Sequence, residues 1–238
     1  MSSTKPTESE TYANRQIQTR IFAGSALLGA ISWMFVILPD LRIPGWQIAL
    51  IDFVAIPWIV AFLLFGLRGG LLTSCIGAVA ILISSEEGVP AVGAVSKFSA
   101  IISLILTAYF LLKILSNVDF SAISLARPRT YAAIFAPATL VRCIVMVFVN
   151  LLGLPLVFYV TLGGLRVSPL DIPVTFYDLF WKPMENLLGL SSTLSASQFF
   201  ILFVLGVFLL NAWLSFFELS ISYFVVYRSG LYQEYSVW

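Results

Sequence analysis

Apolar residues fall in long blocks along this chain, and the charged residues, prolines and most turn-forming residues collect between them. The first block runs from about Ile21 to Leu38, 18 residues or some 27 Å of helix. The second, Phe53 to Leu67, is shorter: its 15 residues reach about 22 Å, against a hydrocarbon core of roughly 30 Å. Its ends are therefore made by polar residues that enter the membrane zone, with Asp52 at one end, Pro57 one turn in, and Gly-Leu-Arg-Gly-Gly (Gly66 to Gly70) at the other. Further blocks follow from about Gly70 to Ser84, Val92 to Leu115, Tyr131 into Asn150–Tyr159, and Gln198 to Tyr227. Six blocks predict an all-α integral membrane protein with six transmembrane helices, spanning 21–228 between a polar tail (1–20, expected to be unstructured) and a short tail (229–238).

Composition agrees. Of 238 residues, 60% are hydrophobic and 11% charged, where a soluble domain carries about 25% charge. Mean hydropathy is +0.98. The net charge of +1 leaves no basic surface for nucleic acid. The chain contains no histidine, which removes the usual proton shuttle and commonest metal ligand; no metal, cofactor or catalytic group is expected. Cys75 and Cys143 lie in apolar runs and read as small buried hydrophobes. A membrane enzyme ranks last among the readings, for want of a nucleophile with its base. No phosphate-binding loop is found, so any ATP-driven work must use a motor on another chain.

Six spans place both termini on one side. Eight of the thirteen Lys and Arg fall on that side, four on the other, and Arg142 lies within a span. The positive side is cytoplasmic, so both termini are expected in the cytoplasm and the loops at 39–51, 85–96 and 163–197 outside the cell membrane.

That topology gathers Trp46, Asp52, Glu86, Glu87, Lys97, Asn150 and Tyr159 towards the outside, where they read either as a binding site or as ordinary interfacial groups. Arg142 and Glu218 lie deeper, about 16 Å and 15 Å from the cytoplasmic ends of their spans. A lone charge there would cost at least ~2.5 to 3.5 kcal/mol, so the matching depths predict an intramembrane ion pair, with Asn211 two turns above Glu218. A proton relay is the alternative. In the first span, Ala26 and Ala30 put small side chains on one face at a four-residue spacing, which suits packing within the protein or docking of a partner helix.

The second span, with Asp52, Phe53, Ile56 and Pro57 at its start and Phe65, Gly66 and Gly69 at its end, resembles the second helix of the substrate-binding S components of energy-coupling-factor (ECF) transporters, the riboflavin-transporter-like members above all. Asn150, followed by Pro155 and an aromatic, resembles a second element of that family. The resemblance implies an S-component-like bundle that captures a vitamin outside and works with a coupling transmembrane subunit and ATPase subunits. It implies docking of the coupling subunit at Ala26 and Ala30. It also implies a ligand site in which Trp46 and Tyr159 stack a flat ring while Asp52, Asn150 and Asn211 bond its polar edge. The riboflavin-type pattern has a basic residue soon after the last asparagine; none stands between Asn211 and Arg228, and Lys97 is the positive group available instead. A stand-alone secondary transporter and a non-transporting membrane scaffold are the rival readings.

Overall fold

From Glu8 to Ile37 the chain contains no proline, and helix α1 forms over all of it. The polar stretch expected to be unstructured up to residue 20 is therefore helical from Glu8 onward, because Glu, Ala, Gln and Arg are good helix formers and the apolar span supplies the nucleus. In the computed structural model the described residues are 8–37, 41–42, 49–84, 90–115, 125–153 and 196–237. After α1 come two short antiparallel strands, β1 (Leu41–Arg42) and β2 (Ala49–Ile51), then α2 (Ile56–Ser84) and α3 (Pro90–Leu115). Next is α4 (Pro128–Phe148), which ends in a π-helical turn at Val149–Gly153. Last are α5 (Ala196–Tyr223), with its own π-helical turn at Phe224–Arg228, and the short α6 (Leu231–Tyr235).

Among the described residues, five helices are long and apolar enough to cross a membrane: Arg15–Ile37, Ile56–Ser84, Ala91–Leu115, Pro128–Leu152 and Ile201–Arg228. The protein is thus built of membrane-type helices, and the second and third expected spans are two helical arms of α2 that meet at a kink. Their junction is Gly66, at φ 68° and ψ −163°. This one non-helical residue separates the two helical stretches.

The contacts across α2 show what that residue does. Trp58 and Gly77 would stand about 28 Å apart in a straight helix, yet the Trp58 indole lies directly on Gly77. Closer to the turn, a Cβ placed on Gly70 would come within 2.9 Å of the Phe62 Cβ. The chain reverses at Gly66, and the two arms of α2 run side by side with glycines where they touch. The backbone values at Gly66 belong to a region that is essentially restricted to glycine. Gly66→Ala is therefore expected to destabilise the fold by about 1–3 kcal/mol, seen as a lowered Tm of the detergent-solubilised protein.

The first arm of α2 is the centre of the molecule. Every residue from Val54 to Gly66 is buried, and α1, α3 and α5 all pack against α2. Helix α1 lies along both arms. Ser25 donates to the Gly69 carbonyl at 3.4 Å, Thr73 donates to the Ser25 carbonyl at 3.2 Å, and the Trp33 indole donates to Ser84 Oγ at 2.6 Å. Gly24 and Gly29 admit Phe65 and Ile76 on this inward face, while Ala26 and Ala30 look outward and are exposed.

The tail after residue 228 turns back at Gly230 (φ 82°). Tyr232 then sets its ring 5.2 Å from that of Tyr227, and the Val237 amide donates to the Leu64 carbonyl at 3.1 Å. Leu64 sits two residues before the reversal, where carbonyls run out of helical partners, so the tail caps the first arm.

Candidate functional site

The short first arm fixes the position of Asp52. Fourteen residues separate it from Gly66, about 21 Å of helix, and the same separation holds between Pro128 and Arg142 on α4. The acid expected at the outer mouth lies within electrostatic reach of Glu218. Asp52 is buried. One of its carboxylate oxygens accepts the Val54 amide at 3.0 Å, which shapes the turn into the arm. The other meets the Lys97 ammonium at 3.0 Å. Lys97 lies in the second turn of α3 and keeps about a quarter of its side chain accessible, 27%.

Arg142 of α4 and Glu218 of α5 form the second pair. The guanidinium is bidentate, one nitrogen on Glu218 Oε2 and the other on Oε1 at 3.3 Å. Both side chains are buried. Glu218 also lies within the electrostatic reach of Asp52 and Lys97, so the two pairs make one four-charge cluster of zero net charge, joining the start of α2 to α3, α4 and α5. In a low-dielectric interior a charge is tolerated only when paired, and each acid here has a base in direct contact.

The two asparagines take a different course. Asn150, in the π-helical turn, donates to the Met146 carbonyl at 2.7 Å, and Asn211 donates to the Val207 carbonyl at 2.9 Å. Each thus satisfies its amide nitrogen on its own helix four residues back. Asn211 heads a polar line down the inner face of α5, continued by Ser215, Glu218 and Ser222, all buried. Trp46, Tyr159, Glu86, Glu87 and the loop over residues 163–195 lie outside the described residues.

Two groups to which the sequence pattern assigns no role in a site adjoin these pairs. Phe53 makes ring contacts with Phe35 of α1 at 5.9 Å and Phe217 of α5 at 6.2 Å, and the two phenylalanines of the latter contact are chain neighbours of Asp52 and Glu218. Its place directly after Asp52, and that of Phe217 directly before Glu218, were the available signals. The other group is Ser32 of α1, whose hydroxyl bonds the Val54 carbonyl at 3.1 Å and accepts the Trp58 indole N–H at 2.7 Å. A serine in an apolar span carries no mark of its partner.

Comparison with protein-family models, with curated proteins and with solved structures finds no match.

Proposed function

We propose that this protein is the membrane-embedded substrate-capture subunit of an ECF-type transporter, taking up a vitamin or related small molecule with a riboflavin-like flat ring. It would borrow its ATPase and coupling subunits from other chains. In this reading the two arms of α2 are separate crossings, the bundle has six spans, both termini are cytoplasmic, and the ligand enters from outside.

The observation that carries it is the placement of Asp52. The acid of the Asp-Phe-x-x-Ile-Pro motif is buried at the start of a short, fully enclosed arm, bonded to a partly accessible lysine and followed by a phenylalanine in a small aromatic group. A flat ring can lie on such rings while its polar edge meets the Lys97–Asp52 pair. Ala26 and Ala30 remain exposed on α1, as a docking face for a coupling subunit needs.

A scaffold without a ligand is the second reading, favoured by the internal pairing of the four charges and the bonding of both asparagines to their own helices. The deciding experiment is the absorbance and mass spectrum of whatever co-purifies with the detergent-solubilised protein, followed by tryptophan quenching on adding riboflavin. Bound flavin or saturable quenching, lost in Asp52→Ala and in Asn150→Ala, supports capture of a flavin. Another small vitamin bound at the same residues keeps the mechanism and changes the substrate. An empty protein that no vitamin quenches transfers the reading to the scaffold.

A further inference from the structure

Helix α1 and the charge cluster are joined by a single hydrogen-bonded line. The Trp58 indole N–H donates to Ser32 Oγ at 2.7 Å, and the Ser32 hydroxyl donates to the Val54 carbonyl at 3.1 Å. The Val54 amide donates to Asp52 at 3.0 Å, and the other carboxylate oxygen holds Lys97 at 3.0 Å. Ser32 and Trp58 are completely buried, and Val54 and Asp52 nearly so, so water does not compete for these bonds.

We propose that Ser32 is a positioning residue through which α1 sets the geometry of the Asp52–Lys97 pair. The segment it grips is the one that needs gripping. Residues 52–55 precede the first regular turn of α2, and the carbonyls there do not all have helical partners. The Val54 carbonyl takes its bond from Ser32, a residue of another helix. With that bond made, the peptide between Val54 and Ala55 is fixed in orientation, and with it the Val54 Cα from which the adjoining Val54 amide reaches the Asp52 carboxylate. Without it, Val54 is held from the Phe53 carbonyl side alone, by the Ile56 amide at 3.2 Å, and the Val54 bond that orients Asp52 towards Lys97 loosens.

The indole fixes the serine in turn. By donating to Ser32 Oγ it leaves the hydroxyl proton only outward directions, one of which is the Val54 carbonyl. Trp58 is itself held by its contact with Gly77 in the other arm. A displacement of α1 relative to α2 is therefore transmitted to the Lys97 ammonium, which is the partly accessible end of the line. The link would serve whatever moves α1, since Ser32 lies on the inward face and Ala26 and Ala30 on the outward one.

The test needs no ligand, so it is independent of the proposed function. The full-length protein in detergent is treated with the N-hydroxysuccinimide ester of acetic acid, and acetylation of Lys97 is followed over time by peptide mass spectrometry. An ammonium held by Asp52 reacts slowly, and Asp52→Asn sets the rate of the released amine. Ser32→Ala is expected to raise the Lys97 rate about fivefold, the effect of one typical hydrogen bond. Ser32→Thr, which keeps the hydroxyl, is expected to restore it. Ser32→Cys keeps the volume but donates weakly, and carries the comparison if the alanine variant folds poorly. Ser25→Ala is the control, a buried serine of the same helix that bonds the Gly69 carbonyl instead. A wild-type rate in Ser32→Ala and Ser32→Cys, alongside a raised rate in Asp52→Asn, overturns the proposal. So does an equal rise in Ser25→Ala, which would mean general loosening of α1.

Discussion

Glu218→Leu is expected to cost about 3–5 kcal/mol, and Arg142→Met in the same chain to recover most of it. Both side chains are buried and the pair is bidentate, so removing the acid strands a guanidinium inside the bundle with only the distant Asp52 to answer it. The double variant strands nothing. It also removes a defect: among the described residues, Arg142 Nε has no hydrogen-bond partner, so the pair is not fully satisfied even in the intact protein. Two apolar side chains of similar volume are then expected to match the wild type or exceed it. The measurement is the Tm and the monodisperse yield of the four proteins in detergent. A Glu218→Leu protein as stable as the wild type would show that the pair does not hold α4 to α5. A proton-carrying Glu218 gives another pattern, a folded Glu218→Gln protein that no longer supports uptake.

This pair is also the clearest case of a contact visible in the sequence. Arg142 and Glu218 each interrupt a long apolar run at a matching depth, and the cost of a lone charge in lipid leaves few alternatives to a partner. The turn between the arms was equally visible, since Gly66, Gly69 and Gly70 stand together. The tightness of the turn, which joins the two arms of α2 through one non-helical residue, depends on the φ and ψ of Gly66 and leaves no trace in the pattern.

The Asp52–Lys97 pair was hidden for a different reason. Loop lengths do not say which helix ends become neighbours, so in the sequence Asp52 and Lys97 stand as two independent groups open to a ligand. The asparagines show the same limit. An amide in a span can face a ligand, another helix or its own backbone, and Asn150 and Asn211 both bond the carbonyl four residues back. The helical start of α1 at Glu8 is masked by a polar composition that suggests lack of structure, although helix propensity there is high.

Trp58→Ala is expected to be the most damaging single change outside the ion pair, at about 3–5 kcal/mol. The indole is completely buried between the arms of α2 and gives its only N–H to Ser32. In lipid the apolar transfer contribution shrinks, because hydrocarbon surrounds the bundle as well, but the lost packing contacts are not replaced. Gly77 sharpens this into a test of the chain reversal itself. A Cβ at position 77 would fall inside the van der Waals envelope of the indole, so Gly77→Ala is expected to cost about 1–3 kcal/mol by overpacking. In a Trp58→Ala background the same methyl group enters the space that the ring vacated, and the substitution becomes neutral or stabilising. Non-additivity of at least ~1 kcal/mol in a double-mutant cycle is therefore expected between residues nineteen apart in sequence. In a straight helix those positions would lie about 28 Å apart and the two effects would add. Chemical or thermal unfolding of the four proteins in one detergent measures the cycle, and strict additivity would mean that the arms do not lie side by side.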